Sequence, residues 1–125
     1  MTDSLSALSR ELRIFAEARD WEQFHTPKNL AMALTGEVGE LVAELQWLEG
    51  DQPLDAEVLA RVGGEAADVL IYLVRLADVA GLDLLAEARR KLRSNEERYP
   101  VERAFGSSVK QGRWLDDDMT RPPTP

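Results

Sequence analysis

The spacing of apolar residues along the chain predicts helices. Between Ser4 and Asp20 they recur at intervals of three and four, which is the period of one face of an amphipathic helix. Thr26 followed by Pro27 is typical of a helix start, because the threonine can cap the first turn and proline fits the first helical position. A second helix is therefore predicted from Pro27 to about Leu48, where a turn follows.

Two further helices are predicted in the second half of the chain. Asp55 can cap a third helix that extends to Ala80 and ends at Gly81. A fourth helix is predicted over 84–97, with Asp83 as its cap. No alternating strand pattern competes with these helices. The sequence therefore predicts an all-α fold, a four-helix antiparallel bundle-type subunit.

The end of the chain differs in composition from the helical part. Residues 101–125 contain a Gly-Ser break, three adjacent aspartates and a proline-rich terminus. Such a segment predicts a C-terminal arm or a flexible tail beside a helical domain at residues 1–100. From Ala66 to Ala80 the third helix is apolar nearly all round, so this part of it needs cover on most of its sides.

Acidic residues line the apolar faces of the second and third helices. Leu34, Val38 and Leu41 form an apolar stripe that is predicted to face inward. Three glutamates fall within a sector of about 60° beside that stripe, and they are Glu37, Glu40 and Glu44. In the third helix an acidic pair has the same three-residue spacing, followed one turn later by a tyrosine: Glu65, Asp68 and Tyr72. Because neighbouring antiparallel helices pack side by side, the two acidic pairs can face each other.

Composition and net charge limit the kinds of molecule that this protein is expected to bind. The 125 residues include 15 basic and 23 acidic ones, for a net charge of −8, which disfavours polymeric nucleic acid and anionic lipid. A nucleotide stays possible, because a bound cation inverts the electrostatics of an acidic site. The absence of cysteine excludes disulfides and thiolate ligands. No apolar run is long enough to span a bilayer and no leader is apparent at the N-terminus, so a cytoplasmic location is expected.

The acidic pairs favour a hard divalent cation. Carboxylates without thiolates suit Mg²⁺ or Mn²⁺, and the single histidine, His25, lies outside the spacing of a di-iron site. Mg²⁺ commonly completes its shell with substrate phosphate, which indicates phosphoryl chemistry. The alternative is that these carboxylates are solvated or neutralised by arginines, namely Arg61, Arg75, Arg89 and Arg90. Taken alone, either acidic pair is better explained by that alternative. The two acidic pairs together favour a metal site. Glu44 is the doubtful member.

Aromatic and basic residues near the acidic helices could bind the rest of a nucleotide. Trp21 and His25 precede the second helix and Trp47 follows it, although tryptophan in so small a bundle is more often core filler or a subunit contact. Lys91 and Asn95 lie on one face of the fourth helix, where they could meet a phosphate chain. A lysine and an asparagine at this spacing are more often simply exposed on a helix surface, without a ligand.

Three segments together resemble a known family. They are RDWEQFHTPKNLAMALTGEVGELVAELQW, GGEAADVLIYLV and KLRSNEERYP. They resemble the MazG-like all-α nucleoside triphosphate pyrophosphohydrolases, most closely the dCTP pyrophosphatase-like branch, over roughly residues 10–100. The resemblance implies an Mg²⁺-dependent enzyme, for which Mn²⁺ can substitute, that assembles as a dimer or a dimer of dimers. Water would attack the α-phosphorus of a (deoxy)nucleoside triphosphate and release the monophosphate and pyrophosphate, a nucleotide-pool housecleaning reaction.

The resemblance also implies roles for individual residues. Both catalysis and metal binding would belong to Glu37, Glu40, Glu65 and Asp68. The base and sugar would be bound by Trp21, His25, Trp47 and Tyr72. Phosphates would be bound by Lys91 and Asn95.

The sequence departs from the family pattern in three places. Leu12 stands where eukaryotic dCTP pyrophosphatases have a histidine, VAELQW replaces AELFQW, and Gly36 precedes Glu37 where longer MazG proteins have a second glutamate. dCTP or a modified analogue is the leading substrate, while the base preference stays open. The alternative from another class is a non-catalytic acidic helical module that binds a nucleotide or a partner protein without turnover.

Overall fold

The chain is helical throughout its main elements. The computed structural model describes residues 4–111. Within that range the helices are α1 (Leu5–Glu17), α2 (Pro27–Leu45), α3 (Ala56–Ala80), α4 (Leu84–Arg98) and α5 (Val101–Ala104). The described residues contain no strand, which confirms the predicted all-α class. None of the described helices combines the length and the apolar character that a membrane span requires.

The predicted helix starts are present. The Oγ1 atom of Thr26 accepts a hydrogen bond from the backbone N–H of Asn29 at 3.2 Å, and Pro27 occupies the first turn of α2. Asp55 caps α3 in the same way, through a bond of 2.9 Å from the N–H of Val58 to Oδ1. Both caps satisfy backbone donors that a helix start leaves without partners, and so they fix where α2 and α3 begin.

The helix ends agree less closely with the prediction. α1 stops at Glu17, three residues early, because the chain turns there and Asp20 adopts a left-handed conformation with φ of +55°. α2 likewise ends at Leu45 and not at Leu48. α3 ends at Gly81 as predicted, where φ of +70° suits glycine.

The chain folds into two compact units, and the division falls between Leu84 and Leu85. In the first unit α3 is the central helix, against which α1 and α2 pack. α2 and α3 are antiparallel: Arg61, near the start of α3, bonds to Glu44 near the end of α2, whereas Arg75, late in α3, bonds to a residue just before α2. The buried apolar residues of this unit are Ala16, Leu30, Val74 and Ala77.

The second unit contains α4 from residue 85, α5 and the segment up to residue 111. Arg98 donates a hydrogen bond to the side chain of Gln111 at 3.1 Å, which ties this segment back to the end of α4. The one-turn helix α5 follows Pro100, whose φ of −60° is compatible with a helix start. Part of the predicted arm therefore has helical structure. Residues 112–125 lie outside the described range, and the division at residue 100 stays a prediction.

Candidate functional site

Three carboxylates from two helices meet in the first unit. Glu37 on α2 and Glu65 and Asp68 on α3 each offer one oxygen, and these oxygens lie within 4.8 Å of one another. The antiparallel packing of α2 and α3 brings the two acidic pairs to the same level. Glu40, the fourth predicted member, is exposed and lies within hydrogen-bonding reach of Glu37 and of Glu65. We call these four residues the acidic cluster.

The electrostatics of the acidic cluster are unfavourable without a cation. The Oε2 atoms of Glu37 and Glu65 are closed to solvent and have no hydrogen-bond partner among the described residues. Desolvation, followed by the contact with Glu40 and by the negative charges of the other cluster carboxylates, raises the pKa of Glu37. Desolvation, then the contact with Glu40 and the negative charges of Glu40, Asp68 and Glu44, raise the pKa of Glu65. Desolvated carboxylates that repel one another are what a cation site requires, because the cation supplies the missing partner.

Arginines do not neutralise the acidic cluster. Arg61 pairs with Glu44 at 2.8 Å, Arg75 pairs with Asp78 at 2.9 Å, and Arg90 pairs with Glu87. None of the ion pairs within residues 4–111 involves a cluster carboxylate. Glu44, the doubtful one of the three glutamates on α2, is therefore an ion-pair partner of Arg61. Oxygen ligands without sulfur or imidazole fit Mg²⁺ or Mn²⁺, so the donor set of the cluster suits these ions.

A second polar network joins the end of α3 to the loop before α2. Arg75, only 5% exposed, donates from Nε to Nδ1 of His25 at 3.0 Å and from Nη1 to Asp78 at 2.9 Å. Asp78 also accepts hydrogen bonds from Arg13 of α1, one of them at 3.1 Å. The Arg13 guanidinium, with a smaller contribution from Arg75, lowers the pKa of Asp78 below its ordinary value. All three helices of the first unit therefore meet at this network or directly beside it.

The predicted aromatic residues have different environments. Trp21 packs edge-on against Phe15 and His25, with ring centroids at 5.7 and 6.3 Å, and it is 43% exposed. Trp47 follows α2 and is 84% exposed. Tyr72 is half-buried, one turn beyond Asp68 on α3. Trp21 and His25 are thus brought together, and Trp47 has almost its whole surface free in the single chain.

Lys91 and Asn95 lie on α4, in the second unit. Lys91 is exposed and Asn95 is half-buried. The spacing of four residues places both on one face of the helix, as predicted. Their role at the phosphates stays a prediction.

Comparisons with known proteins agree on one family. The dCTP pyrophosphatase 1 of Rattus norvegicus is 46% identical to this chain over 100 residues, which are 77% of this chain and 59% of the relative. The dCTP pyrophosphatase 1 of Homo sapiens gives the same identity and coverage. The crystal structure of a pyrophosphatase from Archaeoglobus fulgidus DSM 4304 superposes with a TM-score of 0.72 at 39% identity, covering 80% of this chain and 95% of that one.

This chain belongs to the MazG-like all-α pyrophosphatases. Its relatives place it in the dCTP pyrophosphatase-like branch, which confirms the resemblance seen in the sequence. No protein-family model matches it. The chain spans about three-fifths of the length of the mammalian relatives, as the coverage of 59% shows.

The Arg75 network of this MazG-like protein does not follow from the sequence pattern. The sequence pattern indicates Arg75 only as a possible counter-ion for the acidic pairs. In the structure Arg75 binds Asp78 and His25 instead. A signal for the first contact is present in the sequence: Arg75 is the one charged residue between Asp68 and Asp78, and it precedes Asp78 by three positions. The contact with His25 joins residues 50 positions apart, and local spacing cannot reveal such a pair.

Proposed function

We propose that this protein hydrolyses a nucleoside triphosphate to the nucleoside monophosphate and pyrophosphate. Its leading substrate is dCTP or a modified analogue, and its role is nucleotide-pool housecleaning in the cytoplasm. The strongest support is the acidic cluster, in which two buried carboxylate oxygens have no partner among the described residues. The names of the mammalian relatives support a nucleotide substrate.

We propose further that Glu37, Glu40, Glu65 and Asp68 hold Mg²⁺, for which Mn²⁺ can substitute. Three of these residues converge within 4.8 Å and the fourth is in reach of two of them. When bound there, the cation would neutralise negative charge on the triphosphate and on the departing pyrophosphate. The cluster carboxylates are also the bases at hand for the attacking water.

In the proposed hydrolysis one phosphorus–oxygen bond forms and another breaks. The oxygen of a water molecule bonds to the α-phosphorus, and the bond from that phosphorus to the bridging oxygen breaks, with its electron pair leaving on pyrophosphate. One carboxylate of the acidic cluster accepts the proton of the water. We propose that Lys91 and Asn95 bind the phosphates and that the base and sugar are bound by Trp21, His25, Trp47 and Tyr72.

We also propose that the protein works as a homo-oligomer, a dimer or a dimer of dimers. Val38, predicted to face inward, is 42% exposed in the single chain, and Val42 on the next turn of α2 is 54% exposed. On α3, Leu59 and Leu70 are 57% and 40% exposed. So much apolar surface on the two helices that carry the cluster favours burial against another copy. Light scattering on the eluting protein should give a multiple of the 14.0 kDa chain mass.

Product analysis tests the proposed reaction. Purified protein is incubated with each deoxynucleoside triphosphate and Mg²⁺, and the products are separated by anion-exchange chromatography. The proposal predicts the monophosphate and pyrophosphate, and no turnover when EDTA removes the metal. Release of inorganic phosphate with a diphosphate would contradict the site of attack. Binding of the nucleotide without turnover would instead support the non-catalytic module.

A further inference from the structure

His25 is held in a single protonation state by its neighbour. It is the only histidine in the chain, and its Nδ1 atom accepts a hydrogen bond from Nε of Arg75 at 3.0 Å. A guanidinium has only donors, so Nδ1 must present its lone pair. An imidazole that accepts at Nδ1 is neutral and carries its proton on Nε2.

The guanidinium that fixes His25 is itself fixed. Arg75 is 5% exposed, and its second contact, to Asp78 at 2.9 Å, prevents it from turning away. Asp78 is in turn held by Arg13 from the neighbouring helix α1. Trp21 packs edge-on against the imidazole, with ring centroids 6.3 Å apart. The orientation of His25 is therefore set by α1, α3 and the loop before α2.

The charges around His25 keep the ring neutral. Desolvation and then the positive charge of Arg75 lower the pKa of His25 from its ordinary value, and Glu22 in the same loop opposes them. Behind Arg75 lie the carboxylate of Asp78 and the second guanidinium, Arg13. Two guanidiniums against one carboxylate disfavour an additional positive charge on the imidazole.

Arg75, which holds His25, lies beyond the acidic cluster along α3. Arg75 follows Asp68 by seven residues, which is nearly two turns and about 10.5 Å along α3, on the same helix face. The residue that holds His25 is therefore anchored about two turns from the cluster carboxylates. In the proposed function the triphosphate lies at the acidic cluster and the base and sugar lie at His25, whose neutral N–H can donate to a carbonyl oxygen or a ring nitrogen of the base.

We propose that Arg75 is a positioning residue that holds His25 as a neutral imidazole with its proton on Nε2, so that His25 donates a hydrogen bond to the nucleobase of the substrate. Among residues 4–111 no group takes the hydrogen bond that Nε2 can donate. The inference rests on the proposed function, since it assumes a nucleotide whose phosphates lie at the acidic cluster. It adds a residue, Arg75, that selects the hydrogen-bonding pattern offered to the base.

The protonation state can be measured without any activity. Because the chain has one histidine, the ¹⁵N chemical shifts of its imidazole in tag-free, labelled protein belong to His25 alone. At pH 7.5 the wild type should show the neutral Nε2–H form. Arg75→Met should give a mixture of the two neutral forms and a higher pKa for His25. A wild type with the proton on Nδ1, or with a charged ring, would overturn the proposal. Asp78→Asn serves as the second variant if Arg75→Met does not fold.

Two substitutions of His25 distinguish its nitrogens. The amide nitrogen of glutamine mimics Nε2, whereas the side chain of asparagine reaches only the position of Nδ1. His25→Asn should raise KM about three- to tenfold, which is what one neutral hydrogen bond is worth, and leave kcat nearly unchanged. His25→Gln should retain more affinity. Arg75→Met should raise KM less than His25→Asn does, because part of its imidazole population still offers the Nε2–H donor, and Arg75→Lys should recover part of that smaller loss.

The outcomes separate this inference from the proposed function. If the wild type turns over nucleotide and both His25 variants keep the wild-type KM, the donor role of His25 is wrong and the pyrophosphohydrolase stands. If the wild type neither hydrolyses nor binds a deoxynucleoside triphosphate in Mg²⁺, the proposed function fails, and the role of His25 at the nucleobase fails with it.

Discussion

Glu37 on α2 and Glu65 on α3 each place their Oε2 atom where solvent does not reach and where no partner among the described residues is present. The two residues come from different helices and approach the same point, together with Asp68. An ordinary solvated helix face does not leave carboxylate oxygens in this state, because water would satisfy them. This relationship is the main support for the proposed metal site on α2 and α3.

Removing one carboxylate should abolish metal binding and turnover. We expect Glu65→Gln to weaken Mg²⁺ binding at least tenfold and to lower kcat/KM about 100-fold or more, because a neutral amide is a poorer ligand and stabilises developing charge less well. Isothermal titration calorimetry and pyrophosphate release measure the two effects. Glu44→Gln is the matched control on α2, since Glu44 pairs with Arg61 at 2.8 Å and lies outside the cluster. Equal losses in both variants would contradict the assignment.

In the absence of metal, replacing a cluster carboxylate with its amide should stabilise the protein. Without metal, Glu37→Gln removes a negative charge from a site where desolvation and neighbouring carboxylates already raise its pKa, so the variant should have a higher Tm than the wild type in EDTA. With Mg²⁺ the order should reverse, because a ligand at one hundred times its Kd stabilises the native state by about 2.7 kcal/mol and only the wild type binds it well. Differential scanning calorimetry in EDTA and in Mg²⁺ makes the comparison. A variant less stable than the wild type in EDTA would show that the carboxylates are not strained.

The sequence predicted the acidic cluster better than it predicted the rest of the site. The pairs on α2 and α3 follow from helical spacing and one antiparallel packing step, and both are visible in the residue pattern. The bond between Arg75 and His25 depends instead on how the loop before α2 folds back, and it involves the early end of α1 and the turn at Asp20. No periodic pattern encodes that turn. The exposed state of Val38 could not be predicted either, because the apolar stripe is the same whether it faces the core or another copy of the chain.

The network around Asp78 should make stability depend on pH. The Arg13 guanidinium lowers the pKa of Asp78 below its ordinary value of 3.8, so its contribution is present above that value and is lost as the pH falls through the lower folded-state pKa. Asp78→Asn should therefore cost about 1–3 kcal/mol at pH 7, less if solvent screens the exposed Arg13. The difference from the wild type should shrink below about pH 3.8. Urea unfolding at several pH values tests this. A constant difference across that range would mean that the charge of Asp78 is not involved.

Two glycines of the α3 region should respond in opposite ways to the same substitution. Gly81 has φ of +70°, so Gly81→Ala should destabilise by about 1 kcal/mol, because a Cβ is strained in the left-handed region. Gly63 lies inside α3, and an added Cβ there would meet nothing within 4 Å. Gly63→Ala should therefore stabilise by about 0.5–1 kcal/mol through the lower entropy of the unfolded chain. Thermal unfolding of both variants provides the test, and a destabilised Gly63→Ala would indicate that this face of α3 touches another copy.

The position of the metal is the most direct test of the central claim. Crystals grown with Mn²⁺ and a non-hydrolysable deoxynucleoside triphosphate analogue allow anomalous scattering to locate the ion. We predict an anomalous peak about 2.0–2.3 Å from carboxylate oxygens of Glu37, Glu65 and Asp68, with a phosphate oxygen of the analogue in the same coordination shell. A nucleotide bound with no peak between α2 and α3, or with the ion held elsewhere, would contradict the assignment.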